Sequence, residues 1–237
     1  MPEAAEALLD DAPDGDISTR AVCEAVGVGA PVLYRLFGDK AGLLSAVVDH
    51  GFDRYLAGKR AARPSDDPVE DLRSGWNTHV AFALEHRAVY RLMFSPEFAS
   101  VPSAAAEALL LLRDVLERCA AAGRLRFPPD AAAQAIMSAN IGVALSLVSQ
   151  PELYADPALS ARVRDAVHRE ILILDRPVAA PADAGATALQ LSAQLKRSPV
   201  AGFTAGERAL LLEWLDRVAR DHDMETPPVV DDGSAPV

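Results

Sequence analysis

Cysteine is scarce in this sequence, and its scarcity argues against a disulfide framework. The two cysteines, Cys23 and Cys119, lie far apart, each within a helical pattern. A small secreted domain held by disulfides carries more cysteines at closer spacings. We therefore expect both to be small buried hydrophobes in a reduced, cytoplasmic protein.

Long hydrophobic runs are missing as well. No stretch approaches the roughly 18–20 consecutive apolar residues of a membrane helix, and no basic segment followed by an apolar one opens the chain. Half of the 237 residues are apolar, and glycine and proline are not in excess. This composition predicts a globular protein with no membrane partner.

The residue sets that carry chemistry are also missing. The five histidines form no H-x-x-x-H pair and stand beside no cysteine pair, which argues against a metal site. No nucleophile elbow, phosphate-binding loop or dinucleotide fingerprint follows a strand, and no segment has the alternation of a strand. We therefore predict that the protein is not an enzyme and has no metal and no cofactor.

A net positive charge is confined to one segment. The chain has a net charge of −11, but residues 18–63 hold seven Lys/Arg and four Asp/Glu, a surplus of three positive charges. A surface that binds DNA phosphates needs this sign, because each neutralised phosphate releases counterions. The distribution favours a local nucleic-acid interface over a general one.

That segment has the outline of two short helices and a tight turn. Ser18 is a suitable N-cap, Gly27 can take the positive φ of a sharp turn, and Pro31 suits the first turn of a helix. We predict that Leu33, Leu36 and Phe37 form the buried side of the second helix. The outline fits a DNA-binding helix-turn-helix, but also a helical hairpin of any all-α protein.

The stretch GVGAPVLYRLFGDKAGLL resembles the signature of the TetR/AcrR family of transcriptional repressors. The matching residues are Gly27, Val28, Leu33, Tyr34, Phe37, Lys40, Leu43 and Leu44. The resemblance implies an all-α fold, with an N-terminal three-helix helix-turn-helix domain over 1–60. A helical effector-binding and dimerisation domain over 65–223 would follow, with an added C-terminal hairpin and a disordered tail over 224–237.

The same resemblance implies the protein's function and its DNA contacts. It predicts a cytoplasmic regulator that binds a palindromic double-stranded DNA operator as a homodimer and leaves it when a small-molecule effector binds. The DNA-binding residues would be Ser18, Thr19, Arg20, Ala30, Val32, Tyr34, Arg35 and Lys40. Tyr34 and Lys40 would hold phosphates, as would Ser18 and Thr19, while Val32 and Arg35 would face base edges.

Three positions depart from the family pattern. Gly29 replaces the usual hydroxyl residue, Val32 a common threonine, and Leu36 the usual histidine. The first helix is also about two turns short and acidic. The alternative is therefore a TetR-fold dimeric ligand-binding protein that has weakened or lost DNA binding.

Beyond the first domain, helical periodicity continues to residue 222. We predict helices over 40–59, 103–122, 129–149, 157–174, 186–197 and 205–222. A further helix begins at Pro68, and residues 90–94 form either a short second helix or its continuation. An apolar stripe on the helix after Pro68 comprises Leu72, Trp76, Val80 and Ala83. Thr204 and Glu207 have the spacing of a capping box.

Large rings and soft side chains concentrate in the second domain and suggest an effector site. The candidate ligand-binding residues are Trp76, His79, Phe82, Tyr90, Met93, Phe94, Met137 and Asn140. They fit either an apolar core with a few satisfied polar atoms or a pocket with convergent polar groups.

The helices over 129–149 and 157–174 are the candidate dimer interface. The first is apolar around its whole circumference, so it needs cover on both sides. The predicted interface residues are Ile136, Ile141, Val148, Leu159, Val163, Val167 and Ile171. The alternative is that both helices are the buried middle of one domain.

Overall fold

The structure is a computed structural model. It describes residues 1–12, 17–94, 102–173, 184–198, 200 and 202–221, leaving out the side chains of residues 10, 11, 102, 103 and 221. The predicted tail over 224–237 lies outside these residues. Within them the fold is all-α, as predicted, and contains no strand; Leu125 and Leu172 form one isolated antiparallel bridge.

Eleven helices are formed by the described residues. They are α1 (Pro2–Asp11), α2 (Thr19–Val26), α3 (Ala30–Phe37), α4 (Lys40–Ala61), α5 (Pro68–Glu85), α6 (Arg87–Met93), α7 (Pro102–Ala121), α8 (Pro129–Ser149), α9 (Leu159–Ile171), α10 (Ala184–Arg197) and α11 (Ala205–Asp221).

Local signals in the sequence fix several helix ends. Ser18 caps α2 by accepting the amide of Ala21 at 3.0 Å, and Asp39 caps α4 by accepting the amide of Gly42 at 2.8 Å. Each satisfies an amide that has no partner inside its helix. The start of α9 was predicted wrongly: the Asp156 carboxylate holds the Ala158 amide in a turn, so the helix begins only at Leu159.

The chain divides into two compact units. The first comprises Met1–Val115 and Ala133–His168, and the second comprises Leu116–Ala132 and Arg169–Val237. This division does not fall at residues 60–65, where we predict the domain boundary, because α4 packs on both α1 and α6. The boundary between the two functional domains at residues 60–65 therefore remains a prediction.

The core of the first unit forms around α4. Its buried apolar side chains come from α1 to α4 and from α6, with α7 and α8 packed at the edge; they include Leu9, Val22, Leu33, Leu43, Val47, Phe52, Leu56 and Val89. The predicted stripe of α5 is buried in full. Burying a leucine or phenylalanine contributes about 1.5–3 kcal/mol, so α4 supplies much of this unit's stability.

The second unit contains the α10–α11 hairpin. Thr204 and Glu207 form the predicted capping box, with the Thr204 amide donating to the Glu207 carboxylate at 2.8 Å. Ser192 and Lys196 of α10 both donate to the Asp216 carboxylate of α11. These polar contacts hold α11 with its apolar stripe turned partly outward, so that Leu210, Trp214 and Val218 are exposed.

The predicted turn at Gly27 can be tested with a matched pair of glycines. A Cβ added at Gly27 or at Gly58 would meet nothing within 4 Å, but Gly27 has a φ of +68° and Gly58 lies inside α4. We expect Gly27→Ala to destabilise the protein by about 1–2 kcal/mol and Gly58→Ala to stabilise it by about 0.5–1 kcal/mol. Urea unfolding measures both, and equal signs would contradict the backbone argument.

Candidate nucleic-acid interface and interior polar cluster

The turn between α2 and α3 is built by backbone geometry. Gly27 adopts the left-handed conformation at the end of α2, and the Val28 amide donates back to the Cys23 carbonyl at 3.0 Å. Gly29 then starts α3 without a side-chain cap, and Pro31 lies in the first turn. Glycine takes the Gly27 conformation without strain, so the sequence favours a tight turn between the two short helices.

Helix α3 presents most of its surface to solvent. Leu33 is buried and Val32 is half-buried, while Ala30, Tyr34 and Arg35 are exposed. This arrangement leaves the predicted base-facing and phosphate-facing side chains of α3 available to a partner.

Leu36 is the exception to the predicted packing of α3. We predicted that it joins the buried side, but 57% of the residue is exposed. Leu33 and Phe37, four residues apart, face the core, and Leu36 lies well to one side of that direction, next to Val32. The prediction that Leu36 lies on the buried side of α3 was therefore wrong.

The remaining predicted DNA-binding residues lie at two helix starts. Ser18 is an N-cap, Thr19 is the first residue of α2, and Lys40 is the first residue of α4. The amides and the dipole at a helix start favour an anion, so Lys40 lies where a phosphate is stabilised most. Arg20 is exposed and pairs with Glu24 at 2.8 Å, which neutralises part of its charge.

A chain of three polar side chains crosses the interior of the first unit. The Tyr55 hydroxyl lies 2.8 Å from His79 Nδ1, and His79 Nε2 lies 2.6 Å from the Tyr90 hydroxyl. The chain therefore links α4, α5 and α6 through buried groups. The sequence pointed to His79 and Tyr90 but not to Tyr55, whose partner is 24 residues away.

This polar chain is uncharged. Burial, reinforced by the nearby Lys59 ammonium, lowers the pKa of His79 to about 3, and burial also raises the pKa of both Tyr55 and Tyr90. His79 is thus a neutral imidazole with one N–H. Two hydroxyls and one imidazole have three hydrogens but form only two hydrogen bonds among themselves. One of the two tyrosine hydroxyls therefore has a hydrogen that neither of these hydrogen bonds uses.

The structure brings several predicted ligand-binding residues together around this chain. The rings of Tyr90 and Phe94 are 4.7 Å apart, and Phe82 stacks obliquely on Tyr55 at 5.4 Å. Met93 is buried among them, and Met137 packs against the same core. Flexible thioethers beside aromatic rings can adapt to differently shaped apolar groups.

Asn140 adds an unmet polar atom to this region. It is buried on α8, and its Oδ1 has no hydrogen-bond partner among the described residues. Met137 and Ala144, at one helical turn before and after it, pack on the clusters that hold Phe94 and Tyr90. A buried carbonyl without a partner costs about 1–3 kcal/mol, so a ligand donor there would recover free energy.

Trp76 lies in a separate contact set. Its indole N–H donates to Ser160 Oγ at 3.0 Å, and its ring packs edge-on against His168 at 6.0 Å. Burial first, and then the Arg164 charge, lower the pKa of His168 to about 4. Sequence analysis missed Ser160 and His168, because nothing local marks a partner more than eighty residues away.

An ion pair between a buried carboxylate and a half-exposed arginine ties α1 to α4. Arg54 donates to both carboxylate oxygens of Glu6, at 2.9 and 2.8 Å, and the Glu6 side chain is 7% exposed. Arg54 also donates to a ring nitrogen of His86, the residue that joins α5 to α6, at 2.6 Å. Three elements of the first unit therefore share one cation.

The predicted dimer residues fall into two classes. Ile136, Val148 and Ile171 are buried within a single chain. Ile141, Leu159, Val163 and Val167 are half-exposed and remain available to a partner. Sequence periodicity identified the apolar residues of α8 and α9 but not which of them face inward.

Helix α8 is long and apolar enough to cross a membrane by length and mean hydropathy alone, at 1.6 over 18 residues. The helix has no unbroken apolar run of that length, because polar residues such as Asn140 interrupt it. About 39% of this window is buried. One such helix is weak evidence for a membrane span, since core helices of soluble proteins pass the same test. Among the described residues, no group of three or more His, Cys, Asp or Glu side chains is placed to hold a metal ion.

The geometry defines a class: an all-α protein with an N-terminal helix-turn-helix followed by a helical domain. Two family models match the chain. The family described as "Bacterial regulatory proteins, tetR family" matches residues 3–47, and "Tetracyclin repressor-like, C-terminal domain" matches residues 72–219. The chain belongs to the TetR family of regulators, with a DNA-binding helix-turn-helix domain and a ligand-binding type of C-terminal domain.

Solved structures share this fold. A TetR-family transcriptional regulator from Pectobacterium atrosepticum has 21% identity and a TM-score of 0.60, covering 74% of this chain and 93% of its own. PfmR from Thermus thermophilus has 21% identity and a TM-score of 0.55, covering 74% and 98%. NalD, the secondary repressor of the MexAB-OprM multidrug efflux pump in Pseudomonas aeruginosa, has 19% identity and a TM-score of 0.53, covering 73% and 94%. Comparison with curated proteins gave no match.

Proposed function

We propose that this protein is a cytoplasmic, homodimeric transcriptional repressor that binds a palindromic operator and is released by a small uncharged effector. The observation that carries the proposal is the helix-turn-helix, in which α3 exposes Tyr34 and Arg35 while Lys40 begins α4. These side chains supply two charges and a hydroxyl to one DNA-facing region.

The docking follows from the groups that each helix offers. A recognition helix enters the major groove with its exposed face towards base edges. Arg35 can donate two hydrogen bonds to a guanine, whereas Lys40 at a helix start binds a phosphate whatever the sequence. Tyr34, 48% exposed, can donate its hydroxyl to a second phosphate.

A second candidate function is a dimeric ligand-binding protein that no longer binds an operator. Gly29 offers no side-chain oxygen at the start of α3, and Arg20 is paired with Glu24. Both features reduce polar contact with DNA. A gel shift on the protein's own promoter region separates the two functions, because the second predicts no shifted band at any salt concentration.

Lys40 and Arg35 are predicted to contribute differently to DNA binding. Lys40→Ala should weaken binding to all sequences alike and lower the salt slope by about one phosphate, whereas Arg35→Ala should relax sequence choice. Arg91, exposed on α6, provides the matched control, since Arg91→Ala removes one positive charge outside the helix-turn-helix. Fluorescence anisotropy at several salt concentrations measures all three, and unchanged affinity for Lys40→Ala would refute the docking.

The effector site follows from the interior polar cluster. His79 is neutral, one tyrosine hydroxyl has a spare hydrogen, and Asn140 Oδ1 lacks a partner in the described part of the chain. An uncharged compound with an apolar body and a hydroxyl or amide group would both donate and accept there. Because Tyr55 and Lys40 lie on one continuous helix, α4, such a ligand could shift the DNA-binding end of that helix.

The effector class can be tested with matched compounds. We expect 2-naphthol to bind more tightly than naphthalene or naphthalene-2-carboxylate, as measured by isothermal titration calorimetry, which does not depend on the overlapping fluorescence of tryptophan and naphthalene. Asn140→Leu should reduce the preference for 2-naphthol over naphthalene by about tenfold, since it removes the acceptor. Equal affinities of the wild type for all three compounds would contradict the uncharged, hydrogen-bonding site.

The dimer follows from the unburied part of α8 and α9. Only about 39% of the apolar window of α8 is buried, and Val163 and Val167 on α9 are half-exposed. Packing both helices against a symmetry copy would form a four-helix bundle. Two-fold symmetry would also give paired recognition helices about one DNA turn apart, roughly 34–36 Å.

Light scattering tests the dimer. We expect a mass near twice the 25.1 kDa of one chain at micromolar concentration. Val163→Asp should lower it with helicity retained, because a carboxylate would be buried in the bundle. Leu84→Asp, at an exposed leucine of α5, is the control and should leave the mass unchanged. A wild-type mass of one chain would exclude the palindromic operator as well.

A further inference from the structure

The surface of α3 offers few hydrogen-bonding groups to the DNA that we propose it contacts. Its sequence, APVLYRLF, contains no amide, carboxylate or small hydroxyl side chain. Arg35 and the Tyr34 hydroxyl are its only polar side-chain groups, and Leu36 is 57% exposed. Most of what α3 can offer to base edges is therefore apolar.

Val32 and Leu36 form a continuous apolar edge along this helix. They are four residues apart, so their Cβ atoms lie about 5–6 Å from each other on one side of α3. Base pairs in a duplex are spaced about 3.4 Å apart along the axis. The edge therefore spans about two base-pair steps, on the flank of α3 beside Arg35.

Only one base feature in the major groove matches such an edge. The thymine C5-methyl group is apolar, whereas the cytosine amino group and the guanine oxygen need hydrogen-bond partners. An isobutyl group pressed against those polar atoms would strip their water and replace it with nothing. Against thymine it buries a methyl group instead, which is worth a factor of about four in affinity.

We propose that Val32 and Leu36 read thymine methyl groups, so that each operator half-site carries one or two thymines beside the guanine contacted by Arg35. This inference rests on the proposed DNA binding and goes beyond it by naming the base chemistry. It gives a positive role to two of the positions at which this chain departs from its family. In this proposal the exposed Leu36 contacts a thymine methyl group, so its presence in place of histidine does not simply remove a contact with DNA.

The test removes the methyl groups one at a time. Sites are first selected from a random duplex library with the full chain, and each thymine of the selected half-site is then replaced by deoxyuridine. We expect one or two positions at which the change weakens wild-type binding about three- to fivefold. At those positions Leu36→Ala or Val32→Ala should bind both duplexes equally.

Control variants separate contact from folding. Leu36→Met keeps an apolar group of similar size and should keep the preference for thymine over deoxyuridine, whereas Leu84→Ala, far from α3 in sequence, should not alter it. Circular dichroism checks that each variant retains its helices. Because Leu36 is exposed, its replacement should leave the melting temperature almost unchanged.

The two possible failures are distinguishable. If a sequence is selected and bound but deoxyuridine has no effect at any position, the methyl readout is wrong and the proposed repressor stands. If the same deoxyuridine effect persists in both alanine variants, another side chain reads the methyl groups and the assignment is also wrong. If no sequence is enriched at all, the proposed DNA binding falls and this inference falls with it.

Discussion

The first unit depends on one buried carboxylate and its cation. Glu6 is almost fully enclosed, and an ionised carboxylate in such a place is stable only if it is paired and hydrogen-bonded. Arg54 meets this requirement with two hydrogen bonds and extends a third to His86. Helix α1, helix α4 and the α5–α6 junction are therefore held in one relative position. The helix-turn-helix packs on α4 and takes its orientation from this arrangement.

The features that could be predicted from the sequence are local ones. The caps at Ser18 and Asp39 and the turn at Gly27 each depend on residues within four positions, so the pattern and the structure agree. Leu36 was misplaced because α3 has only two turns, too few for spacing to locate the centre of its buried side. The Tyr55–His79 hydrogen bond was missed because α4 and α5 meet only in the folded chain.

Helix α8 shows why composition alone could not separate the possible roles of an apolar helix. Its hydropathy suits a membrane span, a buried core helix or a subunit interface equally well. The structure helps to distinguish these roles. Some apolar side chains of α8, such as Ile136, are buried within the chain, whereas others, such as Ile141, are partly exposed. Burial is a property of the folded chain, so it could not be obtained from periodicity.

The hydrogen-bonded side chains of Tyr55, His79 and Tyr90 can arrange their hydrogens in two ways without any movement of their heavy atoms. Neutral imidazole has two tautomers, and exchanging them reverses the direction of both hydrogen bonds. The spare hydroxyl hydrogen then moves from one tyrosine to the other while every heavy atom stays in place. The three side chains thus have two possible arrangements of their hydrogens. In one, the free hydroxyl hydrogen is on Tyr55 of α4, and in the other it is on Tyr90 of α6. Any acceptor that enters near one end selects a single arrangement and fixes the polarity of the whole chain.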